Sequence, residues 1–209
     1  MRTSKVFPAT LVAFLVLSVG LSTQAPAQDV DASAAEATAR IEELSSLIEQ
    51  DPTDVELLID LGNVYYENNM LDQALSTYET AAEVDSTHVG AKLNLGSLLA
   101  DLGQFERSIH ELKTALEMEP GNVLVAATLG SAYYGHRQYT QAVEMYRAAL
   151  EIDPENIEAH FNLGVAFADV QMFDEAIHEW ETVIDIDAAS HAAAISRENI
   201  AMIKEFRGE

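Results

Sequence analysis

Cysteine is missing from all 209 residues, so the chain can form no disulfide and cannot be a lipoprotein acylated on an N-terminal cysteine. Basic residues are scarce: 11 Lys and Arg stand against 35 Asp and Glu, a formal charge of −24. Such an acidic surface repels nucleic acid and anionic lipid head groups, which makes both poor partners, and it suits cationic ones. Adaptation to a salty medium, where the charge is screened, is a second explanation of the same excess. No Asn-x-Ser/Thr sequon occurs, which fits a bacterial envelope protein.

Signatures of chemistry are also wanting. Beyond residue 27 there is no glycine-rich phosphate loop, no Gly-x-Ser-x-Gly elbow and no Ser-x-x-Lys string. A zinc-protease helix needs a second histidine four residues after the first. Thr182 stands there after His178-Glu179, and Thr114 after His110-Glu111. Asp185-Ile186-Asp187 lacks the further ligands and the glycine of a calcium loop. The six histidines are scattered without ligand spacing, and His160 falls where a packed residue is expected. The reading is therefore non-catalytic, with no cofactor, metal ligand or catalytic residue assigned; metal analysis and activity screening of pure protein test it.

Long apolar runs are confined to the first residues. Arg2 and Lys5 precede an apolar stretch over residues 9–21, followed by Ser22-Thr23-Gln24 and Ala25-Pro26-Ala27. A basic start, a run of about 13 apolar residues and an Ala-x-Ala site predict a cleaved signal peptide over residues 1–27, leaving Gln28 first. The run is short beside the ~20 residues of a spanning helix. Retention as a membrane anchor is the alternative. After cleavage, 9 basic and 35 acidic residues remain, a charge of 9 − 35 = −26.

What the chain has in abundance is repetition. Leu61-Gly62, Leu95-Gly96, Leu129-Gly130 and Leu163-Gly164 recur every 34 residues. Three residues after each glycine come Tyr65, Leu99, Tyr133 and Phe167; twelve after, Ala74, Ser108, Ala142 and Ala176. Sixteen after come Tyr78, Leu112, Tyr146 and Trp180; nineteen after, Ala81, Ala115, Ala149 and Val183. Each unit holds two amphipathic segments broken near plus seven, at Asn69, Gly103, Arg137 and Gln171, where a left-handed helix end is expected. Glycine at zero and a small residue at plus twelve let the two helices approach, so bulk at Gly130 or Ala142 should force them apart.

This pattern resembles the tetratricopeptide (TPR) family, over residues 55–188 without insertion. The resemblance implies an all-α, right-handed α-solenoid of four helix-turn-helix repeats: 55–88, 89–122, 123–156 and 157–188. No unit buries its face alone, so stacking on neighbours supplies the core. Residues 28–54 are read as a frayed linker and a capping half-repeat helix from Ala34 to Gln50, with Ile41, Leu44, Leu47 and Ile48 on its apolar stripe. Residues 189–209 are read as a capping helix that starts at Ser190 and runs to about Phe206. Ala194, Ile195 and Ala201 are its expected contacts; Arg197, Glu198, Asn199 and Lys204 its solvated face.

The resemblance also implies that first helices line a concave groove for a protein or peptide segment. Groove positions carry Ile59, Asn63, Tyr66, Leu93, Asn94, Ser97, Leu124, Tyr134, Phe161, Asn162 and Val165, with Tyr66, Leu93, Tyr134 and Phe161 as expected anchors. One branch of the family grips C-terminal carboxylates through cations on these helices. Here the lone Lys or Arg on them is Lys92, at a core-facing position, so that clamp is rejected. The expected partner has apolar anchors with basic flanks; the expected assembly is a monomer, periplasmic or secreted.

Overall fold

Five helix starts set the frame. Asp54, His88, Asn122, Asn156 and Ser190 sit 34 residues apart, and each side chain accepts the backbone N–H three residues on, from Leu57, Ala91, Val125, Ala159 and Ala193. Such a cap satisfies one of the N–H groups that a helix start leaves orphaned. The computed structural model describes residues 27–209, with side chains from residue 34, so the expected signal peptide lies outside the described residues but for Ala27. After α1 (Ala27–Gln50) come four helix pairs: α2 (Val55–Glu67) with α3 (Leu71–Val84), and α4 (Val89–Asp101) with α5 (Phe105–Met118). Then follow α6 (Val123–Gly135) with α7 (Tyr139–Ile152), α8 (Ile157–Asp169) with α9 (Phe173–Ile186), and finally α10 (His191–Arg207).

The turn inside each pair is made as the sequence requires. Asn69, Gly103, Arg137 and Gln171 have φ of 57°, 71°, 60° and 64°, and the following residue donates to the carbonyl five back, as Gln104 does to Leu99 at 2.8 Å. This left-handed closure satisfies carbonyls at the first helix's end. The second helices start without a side-chain cap.

Within each pair the glycine at zero is covered by the side chain at plus sixteen. A Cβ on Gly62, Gly96, Gly130 or Gly164 would lie 2.3, 2.6, 2.7 or 2.5 Å from Tyr78, Leu112, Tyr146 or Trp180. The absence of a methyl group is thus what lets the covering side chain press against the first helix. All four covering side chains are buried, as are Ala74, Ser108, Ala142 and Ala176 beside them. Each large side chain so buried stabilises by roughly 1.5–3 kcal/mol. Serine at position 108 keeps its hydroxyl satisfied by donating to the Gly96 carbonyl at 2.6 Å.

Stacking is asymmetric. Among the described residues α2 touches α4, α4 touches α6 and α6 touches α8, while α3, α5, α7 and α9 make no contact with one another. First helices are therefore the crowded inner row and second helices the splayed outer row of an α-solenoid. α10 touches both α8 and α9, and its cap falls in the 34-residue series, so it takes the place of a fifth first helix.

Both end helices differ from expectation. α1 begins at Ala27, seven residues before the expected start, and Leu47 on its stripe is 38% exposed although Leu44 is fully buried. Among the described residues the half-repeat has no counterpart of the first helix that covers the equivalent Ala81, which packs with Leu58, Ile59 and Ala91. In α10 the buried residues are Ala192, Ala193, Ser196, Asn199, Ile200 and Ile203, whereas Ala194 and Ala201 are exposed and Ile195 is half-buried. Docking against two helices at once gives α10 a broad buried face that takes in small polar residues, Asn199 among them. Among the described residues no helix is long and apolar enough to cross a membrane.

Candidate functional site

The inner row presents the residues expected of a groove, but not all of them to solvent. Leu124 is 54% exposed. Asn63, Tyr66, Leu93, Asn94, Ser97, Tyr134 and Val165 are half-buried. Phe161 is 1% exposed and Ile59 8%, so both apolar side chains are packed into the core instead of standing as surface anchors. Phe161 belongs to the C-terminal core with Trp180, Val183 and Ala193, and its carbonyl accepts the Trp180 indole N–H at 3.1 Å. The phenyl group expected as an anchor is spent on holding α8 against α9 and α10. Asn162 is also buried, with 7% of its surface exposed.

Four of the expected residues meet where α2 faces α4. Asn63, Tyr66, Asn94 and Ser97, with Tyr78 and Leu98, line a cavity of about 160 Å3. The Asn63 side-chain carbonyl accepts from the Tyr78 hydroxyl at 2.6 Å and from the Asn94 amide at 3.3 Å. Tyr66 reaches across to the next repeat and donates to Asp101 at 2.6 Å. Burial first, then that carboxylate, pushes the Tyr66 phenol up to about 12, so it stays protonated and donating.

The same bridge recurs at the far end, where Tyr134 donates to Asp169 at 2.6 Å. Burial and the neighbouring Asp169 raise this phenol too. Between the bridges, at the junction of α4 and α6, small residues Ala100 and Gly135 take these places. The ring of Phe105 fills the space a Gly135 Cβ would need. The floor is thus a smooth gap between two tyrosine–aspartate struts.

Exposed charge on the four repeat first helices, α2, α4, α6 and α8, has one sign. On α2, α4, α6 and α8 the basic side chains are Lys92 and His160, both turned toward second helices. Lys92 donates to Glu111 at 2.9 Å, and His160 pairs with Glu179 at 2.6 Å. The other ring nitrogen of His160 meets the Pro154 carbonyl at 3.0 Å. A carboxylate and a carbonyl accept, so the surroundings of both ring nitrogens favour the protonated form of His160. Its pKa is accordingly raised, chiefly by the Glu179 hydrogen bond and against the opposing effect of burial. The sequence placed Lys92 in the core and His160 among packed residues; it did not reveal the glutamates that hold them.

These pairs expose a feature that reading one 34-residue unit at a time missed. Tyrosine bridges begin in repeats 1 and 3, and cation–glutamate pairs lie in repeats 2 and 4 at identical offsets. The true period is two repeats, 68 residues: Ala91, Asn94, Ala100, Asp101, Phe105, Ile109, His110 and Glu111 return as Ala159, Asn162, Ala168, Asp169, Phe173, Ile177, His178 and Glu179. Comparing repeat 2 with repeat 4 directly would have found it.

Family comparison agrees with this geometry. Models described as TPR repeat or tetratricopeptide repeat match residues 31–93, 89–122 and 137–171. The chain carries tetratricopeptide repeats. No curated protein matches it. Among solved structures, MamA from Desulfovibrio magneticus RS-1 is 20% identical with a TM-score of 0.66, over 72% of this chain and 85% of that one. YrrB, described as a TPR protein with an unusual peptide-binding site, is 24% identical with a TM-score of 0.63, over 80% and 85%. A thermophilic TPR protein of Thermus thermophilus is 15% identical with a TM-score of 0.69, over 81% and 93%. These likenesses establish the fold, a TPR α-solenoid.

Proposed function

We propose that this TPR protein is an exported, non-catalytic scaffold that holds a protein or peptide segment along its inner row of helices. The observation that carries the reading is the row itself: Leu124 stands exposed and Tyr66, Leu93 and Tyr134 half-exposed beside carboxylates, while both basic side chains are tied up in ion pairs. Apolar anchors flanked by Lys or Arg complement that surface, since apolar contacts supply affinity and charge supplies orientation and on-rate. Capping helices at both ends favour a monomer.

Export and binding are tested separately. Affinity recovery from the native envelope fraction, comparing wild type with a Leu124→Arg, Tyr134→Ala variant of unchanged helicity, should lose one defined protein. Equal recovery would move the working surface to the outer row. Intact mass of the protein isolated from its source should correspond to a chain beginning at Gln28. A mass that retains residues 1–27 supports instead an accessory protein anchored in the membrane.

A further inference from the structure

The two halves of the inner row are built alike but are not equally satisfied. In the first half the Asn94 amide donates to Asn63, which also takes the Tyr78 hydroxyl, so the polar groups there close on one another. In the second half Ser131 replaces Asn63. Its hydroxyl is engaged with Tyr146 at 3.2 Å and the Ala127 carbonyl at 3.3 Å. Asn162, the equivalent of Asn94, is left with a buried Nδ2 that has no hydrogen-bond partner. A buried amide donor without an acceptor costs about 1–3 kcal/mol, a loss that a bound group can recover.

One turn before Asn162, on the same face of α8, stands Glu158; the equivalent position in repeat 2 is Gly90. Glu158 is half-buried and makes no hydrogen bond or ion pair with a described residue. Desolvation raises its pKa, and its charge adds to the burial that raises the Tyr146 phenol nearby. An unpartnered donor and a desolvated, unpartnered carboxylate therefore stand one turn apart on α8. An extended chain carries the complement of both, a main-chain carbonyl and, on a neighbouring residue, a basic side chain.

We propose that the junction of repeats 3 and 4 is the seat of a Lys or Arg of the bound segment, with Glu158 as its counter-ion and the Asn162 amide donating to an adjacent main-chain carbonyl. This rests on the inner row being the binding surface. It adds that the half closed by Asn63 is a spacer, while the half opened by Ser131 sets specificity.

The test is an NMR titration of 15N-labelled protein at low salt with acetyl-Leu-Arg-Leu-amide and with its citrulline counterpart, which keeps the shape and loses the charge. The arginine peptide should shift the Asn162 side-chain amide and the Ser131 backbone amide and leave Asn94 still. Affinity should fall about tenfold in Glu158→Gln and with citrulline, the loss of one charge-assisted hydrogen-bonded pair. Ser131→Asn, which copies the first half, should also weaken binding. Equal affinity for the two peptides, an unaffected Glu158→Gln, or unchanged binding by Ser131→Asn overturns the proposal. Shifts centred on Asn63 and Asn94 also overturn it while leaving the inner row as the binding surface. No shift on any first helix overturns that wider reading as well.

Discussion

Repeats 1 and 2 and repeats 3 and 4 are two castings of one 68-residue frame. Tyr66 and Tyr134 make the same strut to Asp101 and Asp169; Lys92 and His160 make the same pair with Glu111 and Glu179. What differs is chemistry set on the frame. Lysine in one half is a titratable histidine in the other, and Asn63 becomes Ser131. Core positions also vary in size between the halves, Leu99 against Phe167 and Leu112 against Trp180, but apart from Ser108 against Ala176 they stay apolar. Positions on the inner face change without disturbing the stack. The 68-residue period thus gives this protein two similar supports and two unequal surfaces.

The largest effect is expected from removing a support in one half. Trp180→Ala should cost about 3–5 kcal/mol. In chemical denaturation the C-terminal half should melt first, with the first half retaining helicity, as nearest-neighbour stacking requires. A single transition shifted as a whole would show that the halves are not separable.

Next comes the glycine contact. Gly130→Ala should cost about 1–3 kcal/mol, since the new methyl group would lie 2.7 Å from the Tyr146 ring. Gly121, whose Cβ would meet nothing within 4 Å, is the control: Gly121→Ala should stay within about 0.5 kcal/mol of wild type. The melting temperatures of the two variants decide it.

Smaller still, Tyr66→Phe and Tyr134→Phe should each lose about 1 kcal/mol, the ordinary worth of one hydrogen bond. Equal losses would confirm that the struts are equivalent; unequal ones would break the duplication at that point.

The subtlest difference is in pH. Because the folded-state pKa of His160 lies above its unfolded value, the imidazolium's contribution is complete below about pH 6.5 and is lost as pH rises through the raised folded value. Thermal melts should therefore show the fourth repeat weakening on the alkaline side. His160→Lys, which copies Lys92, should flatten that dependence, because lysine ordinarily keeps its proton to about pH 10.

Much of the frame was legible in the sequence. The 34-residue spacing of the Leu-Gly pairs fixed the helix pairs, and the break at plus seven fixed four left-handed residues, even where Arg137 and Gln171 occupy them. Local pattern fails where burial depends on what sits beyond the repeat. Leu47 is exposed because no described first helix precedes the half-repeat, and Phe161 is buried because its side chain completes the core between α8 and α9. The α10 face was misread: Ala194, Ile195 and Ala201 were expected to pack, but docking on two helices buries Ala192, Ala193, Ile200 and Ile203, and Ser196 and Asn199 with them. Cross-repeat pairs such as Tyr134 with Asp169 stand 35 residues apart and carry no signal within one unit.

The inner row as the working surface is tested most directly by a site-specific photo-crosslinker placed at two exposed positions in the native setting. Leu124 lies on first helix α6 and Met118 at the end of second helix α5, and they are 54% and 40% exposed. A discrete protein adduct from position 124, absent from position 118, is the expected result. An adduct from 118 and none from 124 would contradict it and place binding on the outer row.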